Sequence, residues 1–183
     1  DEVHTFTEGI TRYRDLAIVS MMLTCGTRFS EVLLLCLDDI NFTERSFKIN
    51  GKGSKQRVLP MPNQLIDLFK RYLRYERPDS NKVKNFFVIL QGPHKGKKMT
   101  PAGLRSLFRY RRKISKITKA NPHKFRHTFG SEMAGANIEL PILQRLMGHS
   151  DPITTLQYIH LSPIDISREF DRATNEIAKN YVK

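Results

Sequence analysis

Reactive side chains gather in a few short stretches of the sequence. His123-Lys-Phe-Arg126-His127 places His123 and Arg126 three apart on one helix face, with Phe125 directed elsewhere, into the core. Twenty-two residues after His127, in Leu146-Met-Gly-His149, His149 falls just past a helix end at Gly148. Nine residues further on lies Tyr158, in Thr154-Thr-Leu-Gln-Tyr158-Ile-His160. Unbroken helix would turn about 900° over that interval and set His149 and Tyr158 on opposite sides. The break at Gly148–Pro152 lets the chain turn back. Upstream, Cys25-Gly-Thr-Arg28-Phe-Ser-Glu31 puts Arg28 and Glu31 three apart, where a carboxylate can hold a guanidinium by a charged hydrogen bond. Lys52 sits between Gly51 and Gly53, which permit close approach to another backbone.

Each residue also has a quieter reading. Arg28 reads equally as the ion-pair partner of Glu31, and Lys52 as a solvated turn lysine with Lys55 as its rival. His123 and His127, four apart on one helix, are spaced as metal ligands with His149, although no carboxylate or cysteine nearby completes the set. Otherwise His127 reads as a core residue that orients its neighbours. His149 suits a helix C-terminus through the dipole, and Tyr158 could be an ordinary half-buried tyrosine.

The elements that would carry these residues are mostly helical. Leu16, Ile18, Val19, Met22 and Leu23 recur at helical spacing, Gly26 interrupts them, and Ser30 is placed to cap a helix over 30–37. Phe47 and Ile49, then Val58 and Leu59, flank the Gly51–Lys55 turn as a hairpin, with Ile40 and Phe42 adding a third short strand. Leu65 to Leu73 marks a helix that Pro78 ends. Thr100-Pro101 and Asn121-Pro122 are paired start signals, a capping side chain followed by Pro at the first helical position. Leu104, Leu107, Phe108 and Ile114 form the buried side of the first of these helices. Leu140–Met147 is a short helix stopped by Gly148, Asp151-Pro152 starts another, and Ser162-Pro163 starts the last. Clustered strands among seven or eight helices predict a mainly α, α+β domain with a small three-stranded antiparallel sheet.

Composition narrows the function. The chain has 183 residues, 31 Lys and Arg against 18 Asp and Glu, and a net charge of +13. From Ser80 to Ser131 there are 14 Lys and Arg and no acid, so the other residues are close to neutral. Phe86, Phe87, Leu104, Leu107, Phe108 and Phe125 interleave with those cations, which predicts a folded positive face for a polyphosphate backbone rather than a disordered tail. No apolar run approaches the roughly 20 residues of a membrane span. Cys25 and Cys36 sit in apolar sequence and read as reduced, buried thiols, which predicts a cytoplasmic setting. A chain beginning at Asp1 rather than Met predicts a piece of a longer protein.

Taken in order, Gly26-Thr-Arg28-Phe-Ser-Glu31, Gly51-Lys52-Gly53-Ser-Lys55-Gln-Arg57, His123-Lys-Phe-Arg126-His127, Leu146-Met-Gly-His149-Ser and Thr155-Leu-Gln-Tyr158 resemble the catalytic domain of the tyrosine recombinases, the site-specific recombinases and integrases of phages, transposons and chromosome resolution. The resemblance spans residues 10–165. Thr27 replaces a common large aliphatic residue and Met147 a common Leu, neither at a catalytic position. The family's usual N-terminal DNA-binding domain is expected to lie outside this sequence, and the whole of 1–183 is expected to be one catalytic domain, with 163–181 as its C-terminal helix.

The resemblance implies attack of Tyr158 on a phosphodiester, giving a 3′-phosphotyrosyl link and a free 5′-hydroxyl. It implies Arg28 and Arg126 on the nonbridging oxygens, His123 as the acid/base nearest the tyrosine proton, Lys52 as acid for the leaving oxygen, and His149 as a phosphate donor. It implies no cofactor and no metal, double-stranded DNA as partner, and a homo-tetramer on DNA linked by exchange of C-terminal helices, in the bacterial nucleoid. The basic face nominates Lys55, Arg57, Lys95, Lys97, Lys98, Arg105, Arg109 and Arg112 as further DNA contacts. The alternatives are a type IB topoisomerase-like enzyme, a non-catalytic DNA-binding module, and a metal-dependent nuclease.

Overall fold

The computed structural model describes residues 2–51, 56–79, 83–149, 153–157, 170–172 and 174. Lys52, Lys55 and Tyr158 lie outside the described residues, as does nearly all of the predicted helix 163–181. Helices dominate: α1 (Glu2–Thr7), α2 (Tyr13–Thr24), α3 (Phe29–Leu34), α4 (Asn63–Arg71), α5 (Pro101–Ser115), α6 (Pro122–Gly135), α7 (Leu140–Met147) and α8 (Ile153–Leu156). Three strands, β1 (Ile40–Asn41), β2 (Ser46–Asn50) and β3 (Gln56–Pro60), form an antiparallel sheet in that order. Phe47 pairs with Ile40 on one side and Leu59 on the other, and Asn50 with Gln56 closes the hairpin register. The alternation places Phe47, Ile49 and Leu59 inward and Lys48 and Val58 outward.

The start signals act as their chemistry requires. The Thr100 hydroxyl accepts from the Gly103 amide and the Asn121 side-chain oxygen from the Lys124 amide, so α5 and α6 each begin with an orphan donor satisfied. Helix α2 has no such cap of its own; both oxygens of Glu76, from the far end of the α4 segment, accept from the Tyr13 and Arg14 amides at 2.9 Å. Helix α4 continues past Arg71 as a π-helical stretch, Tyr72–Glu76, which brings Glu76 to that position. Helix α3 starts one residue before Ser30: Arg28 is its cap, and Glu31 reaches back to the Arg28 amide at 2.8 Å.

Helix α2 is the hub, packing on α3, α4 and α6. Its buried Ala17, Ile18, Val19, Met21 and Met22 join Phe47, Leu65, Phe69, Tyr72, Phe86 and Phe87 in the main core. Fully burying such side chains contributes about 1.5–3 kcal/mol each. Phe69, Phe86 and Phe87 are in mutual ring contact, and the buried Tyr72 hydroxyl donates to the Phe86 carbonyl and accepts from the Val88 amide. A small second cluster, Phe129, Leu143 and Met147, packs α6 against α7. Ile114, expected on the buried side of α5, is 51% exposed. Arg111 takes the inward place in that last stretch of α5, donating to the carbonyls of Phe6, Glu8 and Gly9 and so holding the end of α1. Cys25 is buried, with its thiol pushed up to about 11 by burial, whereas Cys36 is only half-buried.

Candidate active site

The carbonyl end of α7 organises the site. The last carbonyls of a helix have no partner within it. Here three of them, Leu146, Met147 and Gly148, each accept from a different arginine. Arg57 Nε donates to Leu146 at 2.9 Å, Arg126 Nη2 to Met147 at 2.6 Å and Arg28 Nη2 to Gly148 at 2.8 Å. The partial negative charge of a helix C-terminus offsets some of the repulsion among three guanidinium groups. Arg126 also donates through Nη1 to the Gly26 carbonyl, which ties α6 to the turn leading into Arg28.

That turn demands glycine. Gly26 has φ +61, and a Cβ there would stand 2.4 Å from the Phe129 ring. Gly148, in the left-handed conformation at φ +63, ends α7 and lets the chain pass against Arg57.

Glu31 supplies the counter-charge. It is 2% exposed, accepts from Arg28 Nη1 at 3.0 Å, and holds Arg57 through both oxygens at 2.7 and 2.9 Å. Burial works to raise its pKa, but hydrogen bonds from Arg57 and from the Arg28 backbone outweigh it and leave the carboxyl below its ordinary value.

His149 follows directly, its Nδ1 2.9 Å from the buried Thr155 hydroxyl. Burial, then the charges of Arg126, Arg28 and Arg57, pull its pKa down to about 4, so the ring is neutral at pH 7. In the tautomer that accepts from the Thr155 hydroxyl at Nδ1, the ring proton sits on Nε2; in the other, Nδ1 donates to that hydroxyl. Thr155 is a site residue that motif reading passed over, because a threonine in a short helix carries no signal of its partner.

Arg28, His123, Arg126 and His149 line one cleft of about 630 Å³, together with Asn121, Lys124, His127, Thr154 and Gln157. Four of the six proposed catalytic residues therefore share a wall, and the other two, Lys52 and Tyr158, fall outside the described residues. Gln157, the residue before Tyr158, is part of that wall. Among the described residues no group of three His, Cys, Asp or Glu side chains is placed to hold a metal ion, so the metal reading of His123, His127 and His149 gains no support.

The nominated DNA contacts divide. Lys95, Lys97, Lys98, Arg105 and Arg109 are exposed and Arg112 is half-buried. Arg105 stacks over Phe29, and a shallow groove bordered by Arg105, Arg109 and Arg112 adjoins the cleft through Phe29 and Pro122. Arg57 stands apart from these: its side chain is 10% exposed and all three guanidinium nitrogens bond groups inside the protein.

The profile of the phage integrase family matches residues 1–163. The chain belongs to this family. Among curated relatives it is 34% identical to the tyrosine recombinase XerC of Actinobacillus succinogenes over 161 residues, covering 87% of this chain and 53% of the relative. It is 29% identical to the tyrosine recombinase XerD of Staphylococcus saprophyticus over 163 residues, covering 88% of this chain and 55% of that protein. The chain thus spans about half the length of the relatives it matches. Its fold is that of solved recombinases. The crystal structure of XerA recombinase superposes with a TM-score of 0.77 at 22% identity, over 94% of this chain and 63% of that one. A transposon integrase in complex with transposon right end DNA gives 0.75 at 22%, over 93% and 63%. The XerH recombinase bound to its difH substrate gives 0.70 at 23%, over 92% and 51%. Among the described residues no helix is long and apolar enough to cross a membrane.

Proposed function

We propose that this chain is the catalytic domain of a site-specific DNA recombinase or integrase that cuts and rejoins strands through a 3′-phosphotyrosyl link on Tyr158. The observation that carries the reading is the convergence of Arg28, His123, Arg126 and His149 on one cleft, with the two arginines fixed in place before any substrate arrives. A phosphate under attack gains negative charge as it becomes five-coordinate. Donors already oriented towards that charge stabilise it without reorganising, and removing one such donor typically costs about 10²–10³ in rate.

Arg28 and Arg126 contact the nonbridging oxygens. His149, neutral and held by Thr155, offers its Nε2 proton to the same phosphate. A free tyrosine phenol has a pKa near 10, so Tyr158 needs help losing its proton to attack, a role assigned to the exposed His123. Lys52, between β2 and β3 in the sequence, gives a proton to the departing 5′-oxygen. The covalent link conserves the energy of the broken bond, so a 5′-hydroxyl from another strand can reverse the step without ATP.

Double-stranded DNA is the partner, gripped along Lys95, Lys97, Lys98, Arg105, Arg109 and Arg112. Relatives of this fold solved with DNA support that choice. Four copies assemble on DNA by exchange of the segment 163–181, in the cytoplasm at the nucleoid. Deleting 163–183 should weaken assembly in gel shifts more than it lowers the melting temperature, and equal loss of both would remove the exchange.

The chemistry is tested by incubating the full-length protein with a suicide DNA site in EDTA and resolving products on a denaturing gel. A covalent protein–DNA adduct that disappears in Tyr158→Phe is the expected result. Binding without an adduct would make the chain a DNA-binding module, and cutting abolished by EDTA would make it a metal-dependent nuclease.

A further inference from the structure

We propose that Arg57 is a positioning residue for strand cleavage: it sets the angle of Arg28 through Glu31, and the seat of His149 through the end of α7, without touching DNA. This rests on the strand-cleavage reading above.

Four observations carry it. Arg57 grips both oxygens of Glu31, at 2.7 and 2.9 Å, and the Leu146 carbonyl at 2.9 Å, so a single guanidinium joins β3, α3 and α7. Arg28 shares the Glu31 anchor, bonding the same oxygen as Arg57 Nη1 at 3.0 Å, and reaches the end of α7 separately, at the Gly148 carbonyl, 2.8 Å away. Arg28 and Arg126 line the cleft, whereas Arg57 does not. The contact is close as well: a Cβ on Gly148 would lie 2.8 Å from Arg57 Nη1, so the residue before His149 rests directly on this side chain.

The consequence follows from the geometry of the fork. A planar guanidinium presents two parallel donors to a carboxylate and a third along its edge, which an ammonium cannot copy. Without the fork, Glu31 keeps Arg28 as its one remaining guanidinium partner among the described contacts, and the carboxylate is free to swing towards it. Arg28 Nη2 is then drawn off the Gly148 carbonyl and out of line with the phosphate. The Leu146 carbonyl loses its donor at the same time, so the last turn of α7, and His149 after it, is no longer pinned. Misplacing a reacting group by about 1 Å costs on the order of 100-fold in rate.

The test uses the full-length protein carrying Arg57→Lys, which keeps the charge, and Arg57→Met, which removes it. Melting temperatures are read for both and rates are taken per folded molecule. Single-turnover adduct formation at saturating DNA is measured beside the DNA dissociation constant as a function of salt. The expected result for Arg57→Lys is adduct formation about 10- to 100-fold slower, with affinity and salt slope unchanged. Glu31→Gln should slow the same step, and adding Arg57→Met to it should cost little more, because both act on Arg28 by one route.

A wild-type rate in Arg57→Lys overturns the proposal. So does a salt slope lowered by about one with weakened binding, the mark of a lost phosphate contact. A wild-type protein that binds DNA but forms no adduct removes the strand-cleavage reading and this proposal with it, whereas an active wild type with an unaffected variant removes this proposal alone.

Discussion

Arginines are held in opposite ways at the carbonyl end of α7 and along the outer face of α5. At α7, Arg28, Arg57 and Arg126 satisfy one helix carbonyl each and their donors are largely committed before substrate binds. On α5, Arg105 and Arg109 are exposed, bound to little more than the Phe29 ring and the Ser106 hydroxyl. Exposed cations gain affinity from a polyanion by releasing counterions, a contribution that salt erodes. Partly buried, pre-oriented cations act instead on developing charge, where the low local dielectric strengthens them. On the proposed function, the same residue type would set affinity in one region and rate in the other. The density of charge along the chain does not separate the two, since Arg111 and Arg126 belong to the same acid-free block as Arg105 and Arg109 yet face inward.

The sharpest way to break that division is Arg126→Ala, which should slow adduct formation at saturating DNA by about 10²–10³-fold. A loss of affinity with an intact rate would merge the two regions into one binding surface. Next in size is Gly26→Ala, behind the junction. The added methyl meets Phe129 at a left-handed backbone position, and the cost should be about 2–4 kcal/mol in denaturant unfolding.

Acid should act on the junction too. The Glu31 pKa is lowered on folding, so the stability it confers is present above its unfolded value and is lost as pH falls through the folded one. His149 acts in the same direction: its pKa falls from 6.5 to about 4 on folding, so the unfolded chain takes up the proton first and stability declines across that interval. A bound phosphate offsets the three positive neighbours and raises the affinity of His149 for its proton, so duplex DNA should blunt the decline. Melting curves from pH 7 to 4, with and without DNA, read both effects, and a flat free-protein profile would contradict the sign.

Smaller again is Arg109→Ala on the α5 face, expected to weaken DNA binding several-fold and lower the salt slope by about one, with the cleavage rate at saturation unchanged. The least effect belongs to Gly103→Ala. Its Cβ would find only ordinary contacts, the nearest at 3.4 Å, and the higher helix propensity of Ala should raise stability by about 0.5 kcal/mol in this first turn.

Much of the framework was legible in the chain because its signals are local. Thr100-Pro101, Asn121-Pro122 and Gly148 each combine a cap or stop with a neighbour that reinforces it, and the structure places α5, α6 and α7 where these residues put them. The hairpin was legible for the same reason, as period-two apolar residues about a glycine-rich turn. Helix α1 gave no comparable signal. It has six residues and one buried side chain, Phe6, and is held by Arg111 from more than a hundred positions away. The start of α3 was misplaced because Ser30 is a good cap by type, while Glu31 reaching back to Arg28 decides the actual position. Arg57 was assigned to the surface because it follows a basic turn. Only the fold brings Glu31 and Leu146 to it, and no spacing in the chain encodes that meeting.

The arrangement at α7 also makes this helix a ruler. Adding or removing a single residue between Leu140 and Met147 would rotate its last turn by about 100° and shift it by about 1.5 Å. All three arginines would then face the wrong oxygens at once. The eight residues of this helix are held to one value by the chemistry at its end.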